Sequence, residues 1–187
     1  DLEGYRTLIE RGDPDFIESR DEEEKTTGKF PAIQFSENKP EEILKIIGQR
    51  IGRGEKEPEV VGIDEVQFCS SKLLEVVNKL LNMGYDLILA GLVMNFRGEL
   101  FGHTHELMSL VESNDQLLVE MPVCEKCGEN LAPLPQRLIN GKPADYNEPE
   151  TAIETKKEGA EEEKKEKGKV TYEARCYKCH ELPGKPY

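Results

Sequence analysis

The stretch EPEVVGIDEVQFCSS, residues 57–71, holds a short apolar run that ends in two adjacent carboxylates, Asp64 and Glu65. The run VVGI is rich in β-branched residues and predicts a buried β-strand over residues 59–63. Acids are rarely placed at the end of a buried strand without a partner or a chemical role. We therefore take Asp64 and Glu65 as the starting point for a functional site.

The segments around this strand alternate between helix and strand patterns. Apolar residues at helical spacing predict helices over 38–52, 71–84 and 103–113, and apolar runs predict strands over 30–35, 85–93 and 116–121. Such alternation predicts an α/β fold with a parallel sheet. In these sheets ligands bind beyond the C-terminal ends of the strands, which is where the two acids lie.

The composition limits the classes of partner. The net charge of −13 argues against a general nucleic-acid or anionic-membrane surface, because binding phosphates requires clustered Lys and Arg. No apolar run reaches membrane-spanning length and no signal-peptide pattern opens the chain, so we expect a soluble intracellular protein. The first residue is Asp1 rather than Met, which favours a processed chain or a fragment.

Two domains are expected from the change in composition near residue 122. Residues 1–121 form the α/β domain, of which 1–29 are polar, acidic and expected to be irregular. Residues 122–187 form a small domain rich in Pro, Gly and Cys. Within it, the mixed-charge run 154–169 lacks the apolar area to fold alone and predicts a mobile or weakly helical insertion.

Four of the five cysteines occur in two C-x2-C motifs, and we predict that they bind one structural zinc ion through four sulfurs. The ligands of this predicted site are Cys124, Cys127, Cys176 and Cys179. His180 is an alternative ligand, and unrelated reduced cysteines are the alternative to a metal site. The remaining Cys69, together with His103 and His105, has no comparable spacing, and we expect structural or surface roles for all three.

An Asp at the end of a buried strand also matches the Walker B arrangement, which helps to hold the magnesium ion of a bound nucleotide. Taken alone this pattern is weak, since the same acids can simply cap the following helix. Five further strings narrow the choice: GIDEVQF, AGLVMNFRGELFG, CEKCG, QRLINGKPADYNEP and YEARCYKCHELPG. In order and approximate spacing, over about residues 59–187, they resemble the type II thymidine kinases.

The resemblance implies a P-loop-NTPase-like (RecA-like) parallel sheet, incomplete at its N-terminus in this chain, and a small zinc-ribbon or lasso domain. It implies transfer of the ATP γ-phosphate, with Mg²⁺, to the 5′-hydroxyl of thymidine. Glu65 matches the family's general base and Asp64 its Walker B acid near magnesium. The positions that match the nucleoside-binding residues are Phe68, Leu92, Phe96, Phe101, Tyr172, Glu173, Ala174 and Arg175. The last four match the lasso loop, which contributes mainly backbone hydrogen bonds.

The chain also departs from the family pattern. No G-x-x-x-x-G-K-[ST] motif is present: KTTGKF has the wrong glycine spacing, and ESRD around Arg20 only partly matches the family's Asp-x-Arg segment. Val93 stands where relatives carry an acid, and Pro135 where a threonine is common. We expect negligible phosphoryl transfer from the chain as it stands.

Two alternatives to a thymidine kinase therefore stay open. One is a catalytically inactive relative that serves as a zinc-stabilised binding or scaffold subunit. The other is a zinc-ribbon interaction module on an unrelated α/β domain. The resemblance further implies a homotetramer inhibited by thymidine triphosphate. From the charge and the apolar runs we expect a cytoplasmic protein that binds neither nucleic acid nor membranes.

Overall fold

A computed structural model describes residues 5–7, 16–20, 26–111, 116–151 and 169–186, and up to residue 31 it describes the backbone alone. The chain divides into two compact units. The first unit comprises Asp1–Val93 and Leu100–Gln116, and the second comprises Met94–Glu99 and Leu117–Tyr187. The predicted insertion 154–169 lies outside the described residues except for Lys169.

The first unit contains a parallel sheet of three strands. In the order β1-β4-β5, it is formed by β1 (Tyr5–Thr7), β4 (Val60–Ile63) and β5 (Asp86–Leu89). A separate antiparallel pair joins β2 (Phe16–Arg20) to β3 (Thr26–Pro31). The predicted parallel sheet is thus present on a small scale. Residues 1–29, expected to be irregular, contain β1, β2 and the beginning of β3.

Two helices of the first unit follow their predicted patterns closely. Helix α1 (Glu42–Gly52) begins after Pro40 and buries Ile43 and Ile47, which lie four residues apart on one face. Helix α2 (Lys72–Asn82) buries residues at the spacing i, i+3, i+4 and i+7, namely Leu73, Val76, Val77 and Leu80. A third helix, α3 (Thr104–Met108), is shorter than predicted. These helices place their apolar faces in one core.

That core lies around β4 and α2. Its fully buried members are Phe35, Ile43, Ile47, Val61, Ile63, Val66, Cys69, Leu73, Val76, Val77, Leu80, Tyr85 and Leu107. Ile63 is 1% exposed and directly precedes Asp64. The buried strand therefore fixes where the two acids leave the core. In the described part of the chain, no helix has the length and apolar character needed to cross a membrane.

Three strand predictions need correction. The strand predicted over 30–35 ends at Pro31, as the end of β3, and residues 33–36 have no regular structure. Residues 85–93 form a strand only over Asp86–Leu89, and Ile88 is 54% exposed because it lies on the more exposed of the two faces of β5. The predicted strand over 116–121 is wrong: residues 117–121 have no regular structure, and Leu118 is 82% exposed. A strand requires a hydrogen-bonding neighbour, and the described residues supply none to this segment.

The second unit is built on an antiparallel sheet in the order β7-β6-β8. Its strands are β6 (Leu134–Ile139), β7 (Lys142–Pro143) and β8 (Val170–Arg175). Asn140 and Gly141 connect β6 to β7 with φ angles of 51° and 76°, the left-handed pair that a tight two-residue hairpin turn requires. This Asn-Gly signal is present in the sequence, although no hairpin was predicted there.

A hydrogen bond at the N-terminal end of β5 gives the first unit a pH-dependent contribution to stability. The hydroxyl of Tyr85 donates to Oε1 of Glu57 at 2.6 Å. This bond, together with burial, raises the pKa of Tyr85 from 10.0 to about 12. The neutral phenol is therefore stabilised by folding. Its contribution is fully present below pH 10 and is lost as the pH rises through about 12.

We predict that Tyr85→Phe lowers the free energy of unfolding by about 1–2 kcal/mol at pH 8. The difference from wild type should shrink between pH 10 and 12, the interval between the ordinary and the raised pKa. Urea unfolding of both proteins across this range measures it. Tyr177→Phe, at a side chain that is 73% exposed, is the control and should leave stability unchanged. A constant difference from pH 8 to 12 would contradict the assignment.

Candidate functional site

The two acids directly follow β4, and the backbone turns sharply at the second of them. Glu65 has φ 54° and ψ 39°, a left-handed conformation that non-glycine residues rarely adopt. Its N–H donates to Oδ1 of Asp64 at 2.9 Å, and the next N–H, of Val66, donates to the carbonyl of Ala90 at 3.0 Å. Both acids are half-buried. Left-handed backbone in a non-glycine residue costs about 1–3 kcal/mol and is concentrated at functional sites.

A buried glutamine contacts the second acid. Gln67 lies in the single 3-10 turn Val66–Phe68 and is 3% exposed. Its Nε2 donates to Oε2 of Glu65 at 2.5 Å, and its Oε1 accepts the N–H of Leu92 at 3.0 Å. One side chain therefore connects the acid to the segment that follows β5.

Apolar residues predicted to bind a nucleoside lie beside the same turn. Phe68 and Phe101 pack edge to face, with ring centroids 5.2 Å apart and an angle of 83° between the rings. Phe101 is buried, whereas Leu92 is 50% exposed. The N–H of Phe101 donates to the carbonyl of Val93 at 2.8 Å, which joins the segments on either side of residues 94–99. Five predicted site residues of the first unit thus lie beyond the ends of β4 and β5.

In the second unit the four predicted metal ligands lie together. The sulfur atoms of Cys124, Cys127, Cys176 and Cys179 are all within 4.8 Å of one another. The Sγ atoms of Cys127 and Cys176 are 4.0 Å apart. Tetrahedral zinc with Zn–S bonds of about 2.3 Å requires sulfurs about 3.8 Å apart. Four soft donors at nearly this spacing fit zinc, so the cluster could hold such a metal.

Two tight turns present these sulfurs. The N–H of Gly128 donates to the carbonyl of Cys124 at 2.8 Å, and the N–H of Cys179 donates to the carbonyl of Cys176 at 3.0 Å. Between the turns, the N–H of Glu125 donates to the carbonyl of Ala174 at 3.0 Å, and the Ala174 N–H donates to Oε1 of Glu125 at 2.6 Å. The first turn is therefore bonded to the strand that leads into the second.

The cysteines of the cluster differ in how readily their thiols ionise. The backbone N–H of Glu129 and the amide of Asn130, 3.4 Å from the sulfur, lower the pKa of Cys127 to about 6. Burial, followed by hydrogen bonds among the cysteines, raises the pKa of Cys179 to about 12. One thiol ionises readily and another resists ionisation beside it. A metal dication is what would allow all four to be thiolates at neutral pH.

The three histidines and the fifth cysteine take other roles. The Nε2 of His180 is 2.9 Å from the carbonyl oxygen of Phe96, and among the described residues His180 is not a member of the metal-binding group. The Nε2–H of this ring therefore donates to a carbonyl, and burial lowers the pKa of His180. His103 and His105 both lie beside Glu106 on α3. Cys69 is buried in the core of the first unit, where burial raises its pKa to about 12.

The lasso residues form β8, and the alternation of the antiparallel ladder determines which of their backbone groups are available. Pro135 pairs with Ala174 at a non-hydrogen-bonded position of the ladder, where a proline costs no bond to the neighbouring strand. The backbone of Ala174 faces away from β6 and is occupied by Glu125. By the period of two, the backbone of Tyr172 also faces away from β6, whereas that of Glu173 bonds to β6. By the same period, the backbone of Arg175 also faces β6.

Phe96 lies in a tightly bonded loop of the second unit. Its ring is 2% exposed, and the guanidinium carbon of Arg137 is 3.9 Å from the ring centroid. Arg137 is itself 3% exposed and donates from Nε to the Tyr172 hydroxyl at 2.9 Å, and to the carbonyls of Pro149 and Glu150. Phe96 therefore supports a buried arginine in this structure.

Sequence reasoning missed two residues that organise these sites, Gln67 and Arg137. Both belong to strings quoted above, GIDEVQF and QRLINGKPADYNEP. Neither has a spacing pattern that separates a buried polar side chain from an exposed one. For Gln67, the available signal was a polar residue inside an otherwise apolar turn, between Val66 and Phe68.

Comparison with known proteins identifies the relatives of this chain. A family model described as thymidine kinase matches residues 15–180. The chain is 42% identical over 130 residues to the thymidine kinase of Coprothermobacter proteolyticus, which covers 70% of this chain and 57% of that relative. The chain thus spans little more than half the length of this curated relative. The resemblance inferred from the motifs is confirmed at the level of the family.

We predict that the chain binds about one zinc ion and that Cys176→Ser lowers its zinc affinity by more than about tenfold, because three sulfurs leave the tetrahedron open. Zinc content after dialysis against a chelator of known affinity measures the change. Cys69→Ser is the matched control: this cysteine is buried, like Cys176, but lies outside the cluster. Full zinc retention in Cys176→Ser would contradict the site.

Proposed function

Because the chain belongs to the thymidine kinase family, we propose that the full-length protein transfers the γ-phosphate of ATP to the 5′-hydroxyl of thymidine. The products are thymidine monophosphate and ADP. The observation that carries the proposal is the acid at the end of β4: Glu65 is held in a left-handed turn beside the apolar side chains that match the family's nucleoside pocket. A homotetramer, feedback inhibition by thymidine triphosphate and a cytoplasmic location belong to the same proposal and rest on the family alone.

Glu65 is the proposed general base. Its Oε2 accepts the amide of Gln67, and its other oxygen has no hydrogen-bond partner among the described residues. That oxygen is available to accept the proton of the 5′-hydroxyl as the phosphoryl group is transferred. Because only Oε2 is hydrogen-bonded, the Glu65 carboxylate is held in one orientation while its reactive oxygen stays accessible.

Asp64 is the proposed contact to the magnesium ion of Mg·ATP. Its Oδ1 accepts the Glu65 N–H, and its other oxygen has no hydrogen-bond partner in the described part of the chain. A carboxylate oxygen is the ligand type that magnesium prefers, so the residue fits the ion. When bound, magnesium neutralises the charge of the phosphates.

The proposed nucleoside contacts fall into two groups, one in each unit. In the first unit, Phe68, Leu92 and Phe101 supply apolar surface beside Glu65. In the second, Phe96 and residues 172–175 match the base-binding residues. Of these four, Tyr172 has backbone groups that face away from β6 and have no partner among the described residues, so we assign the main polar contact to it. Backbone groups aimed at base edges would reject bases that lack the matching donors and acceptors.

The proposed function also assigns roles to the units. The first unit would supply the acids for phosphoryl transfer. The second would supply base recognition, held by the four-cysteine cluster. The sequence prediction placed the boundary at residue 122, whereas the compact units assign Met94–Glu99 to the second unit as well.

We predict that the purified full-length protein phosphorylates thymidine and that Glu65→Gln lowers kcat by at least about a hundredfold, because the amide cannot accept the proton. The affinity for thymidine, measured by calorimetry without ATP, should stay close to wild type. Glu75→Gln, on the exposed face of α2, is the matched control and should leave kcat unchanged.

Two outcomes would count against the proposal. Wild-type turnover in Glu65→Gln would remove Glu65 from the reaction. No ATP-dependent phosphorylation by the wild-type protein would favour the inactive relative instead.

A further inference from the structure

Gln67 is the most enclosed polar side chain next to the proposed base, and neither the motifs nor the family assignment gives it a role. We propose that Gln67 is a positioning residue: it fixes the orientation of the Glu65 carboxylate and couples it to the position of Leu92. This inference rests on the proposed function and deepens it. All the residues involved lie in the first unit.

The orientation of the Gln67 amide follows from its partners. The N–H of Leu92 can only donate, so it must meet the carbonyl oxygen of the amide, at 3.0 Å. This leaves the NH₂ group facing Oε2 of Glu65 at 2.5 Å. A flipped amide would place two donors and two acceptors face to face, so the arrangement has one satisfied orientation.

Two glycines show how closely the chain surrounds this side chain. A Cβ added to Gly91 would lie 2.6 Å from Oε1 of Gln67 and 2.8 Å from a methyl carbon of Val66. A Cβ added to Gly102 would overlap the backbone carbonyl of Gln67, and Gly102 also has a φ of 54°. Two other chain segments, at Gly91 and Gly102, therefore approach Gln67 more closely than a side chain would allow.

The consequence for chemistry lies in the rotamers of Glu65. A half-buried glutamate on a left-handed backbone has several side-chain orientations, and only one directs its open oxygen toward a substrate hydroxyl. The Gln67 amide occupies Oε2 and selects among them. Because the same amide holds the Leu92 N–H, a shift of this pocket residue moves the base as well. The Glu65 carboxylate and the backbone of Leu92 are thereby held at a fixed position relative to each other.

Two substitutions separate positioning from a merely structural role. Gln67→Glu keeps an oxygen for the Leu92 N–H but turns a second carboxylate toward Glu65. We expect kcat to fall by more than about tenfold while the thymidine Kd stays within about threefold of wild type. Gln67→Met removes both hydrogen bonds at similar volume. For it we expect the same loss of kcat together with a Kd more than about threefold higher, because Leu92 loses its anchor.

The control is Tyr85→Phe, which removes a hydrogen bond at the opposite end of β5 in the same unit. All variants are measured in the full-length protein for kcat, KM, thymidine Kd without ATP, and thermal unfolding. If both Gln67 variants match the kcat of Tyr85→Phe, Gln67 serves stability alone and the inference is overturned. The same conclusion follows if both Gln67 variants fail to fold while Tyr85→Phe folds. If one Gln67 variant fails to fold, the kcat of the other decides.

The wild-type measurement separates this inference from the proposed function. An absence of wild-type turnover overturns the proposed function. Normal wild-type turnover combined with unaffected Gln67 variants overturns the positioning role alone.

Discussion

At the end of β4 the chain leaves the core through a left-handed residue, and the order of the first unit's site depends on that turn. Glu65 cannot adopt φ 54° without a cost of about 1–3 kcal/mol. The cost is offset locally, since the Asp64 carboxylate accepts the Glu65 N–H and the Ala90 carbonyl accepts the Val66 N–H. Ala90 in turn donates to the carbonyl of Ile63, the last residue of β4. The strained residue is therefore held on both sides by the ends of two parallel strands, which fixes the backbone of the proposed general base.

In the second unit the four-cysteine cluster is bonded directly to the sheet. Pro135 and Ala174 form a non-hydrogen-bonded pair of the ladder, and the outward-facing backbone groups of Ala174 bond to Glu125, next to the first cysteine of the cluster. The strand is thus fixed at its cysteine end. Two residues earlier, the corresponding edge at Tyr172 stays open. Pro135 therefore stands where its missing N–H removes no ladder bond to β8.

The sequence predicted those features that depend on local spacing. Helices α1 and α2 follow strong apolar periodicities, and the four cysteines lie together as two C-x2-C motifs require. It failed where a neighbour decides the outcome. The apolar run 116–121 has strand propensity but no described partner strand, and the exposure of Ile88 depends on how little packs against its face of β5. The burial of Gln67 and Arg137 could not be predicted from the sequence for the same reason. Only tertiary contacts distinguish a buried, hydrogen-bonded polar group from a solvated one.

The path of the chain between the two units limits how one unit could be exchanged between genes without the other. The second unit is assembled from Met94–Glu99 and Leu117–Tyr187, so the backbone crosses from one unit to the other three times. A gene segment that begins at Leu117 would carry all four cysteines but would omit Phe96, the ring on which the Arg137 guanidinium rests. In that segment the buried Arg137 guanidinium would lack the Phe96 ring against which it packs. We therefore expect that recombination has moved the two units together and has not exchanged residues 117–187 on their own.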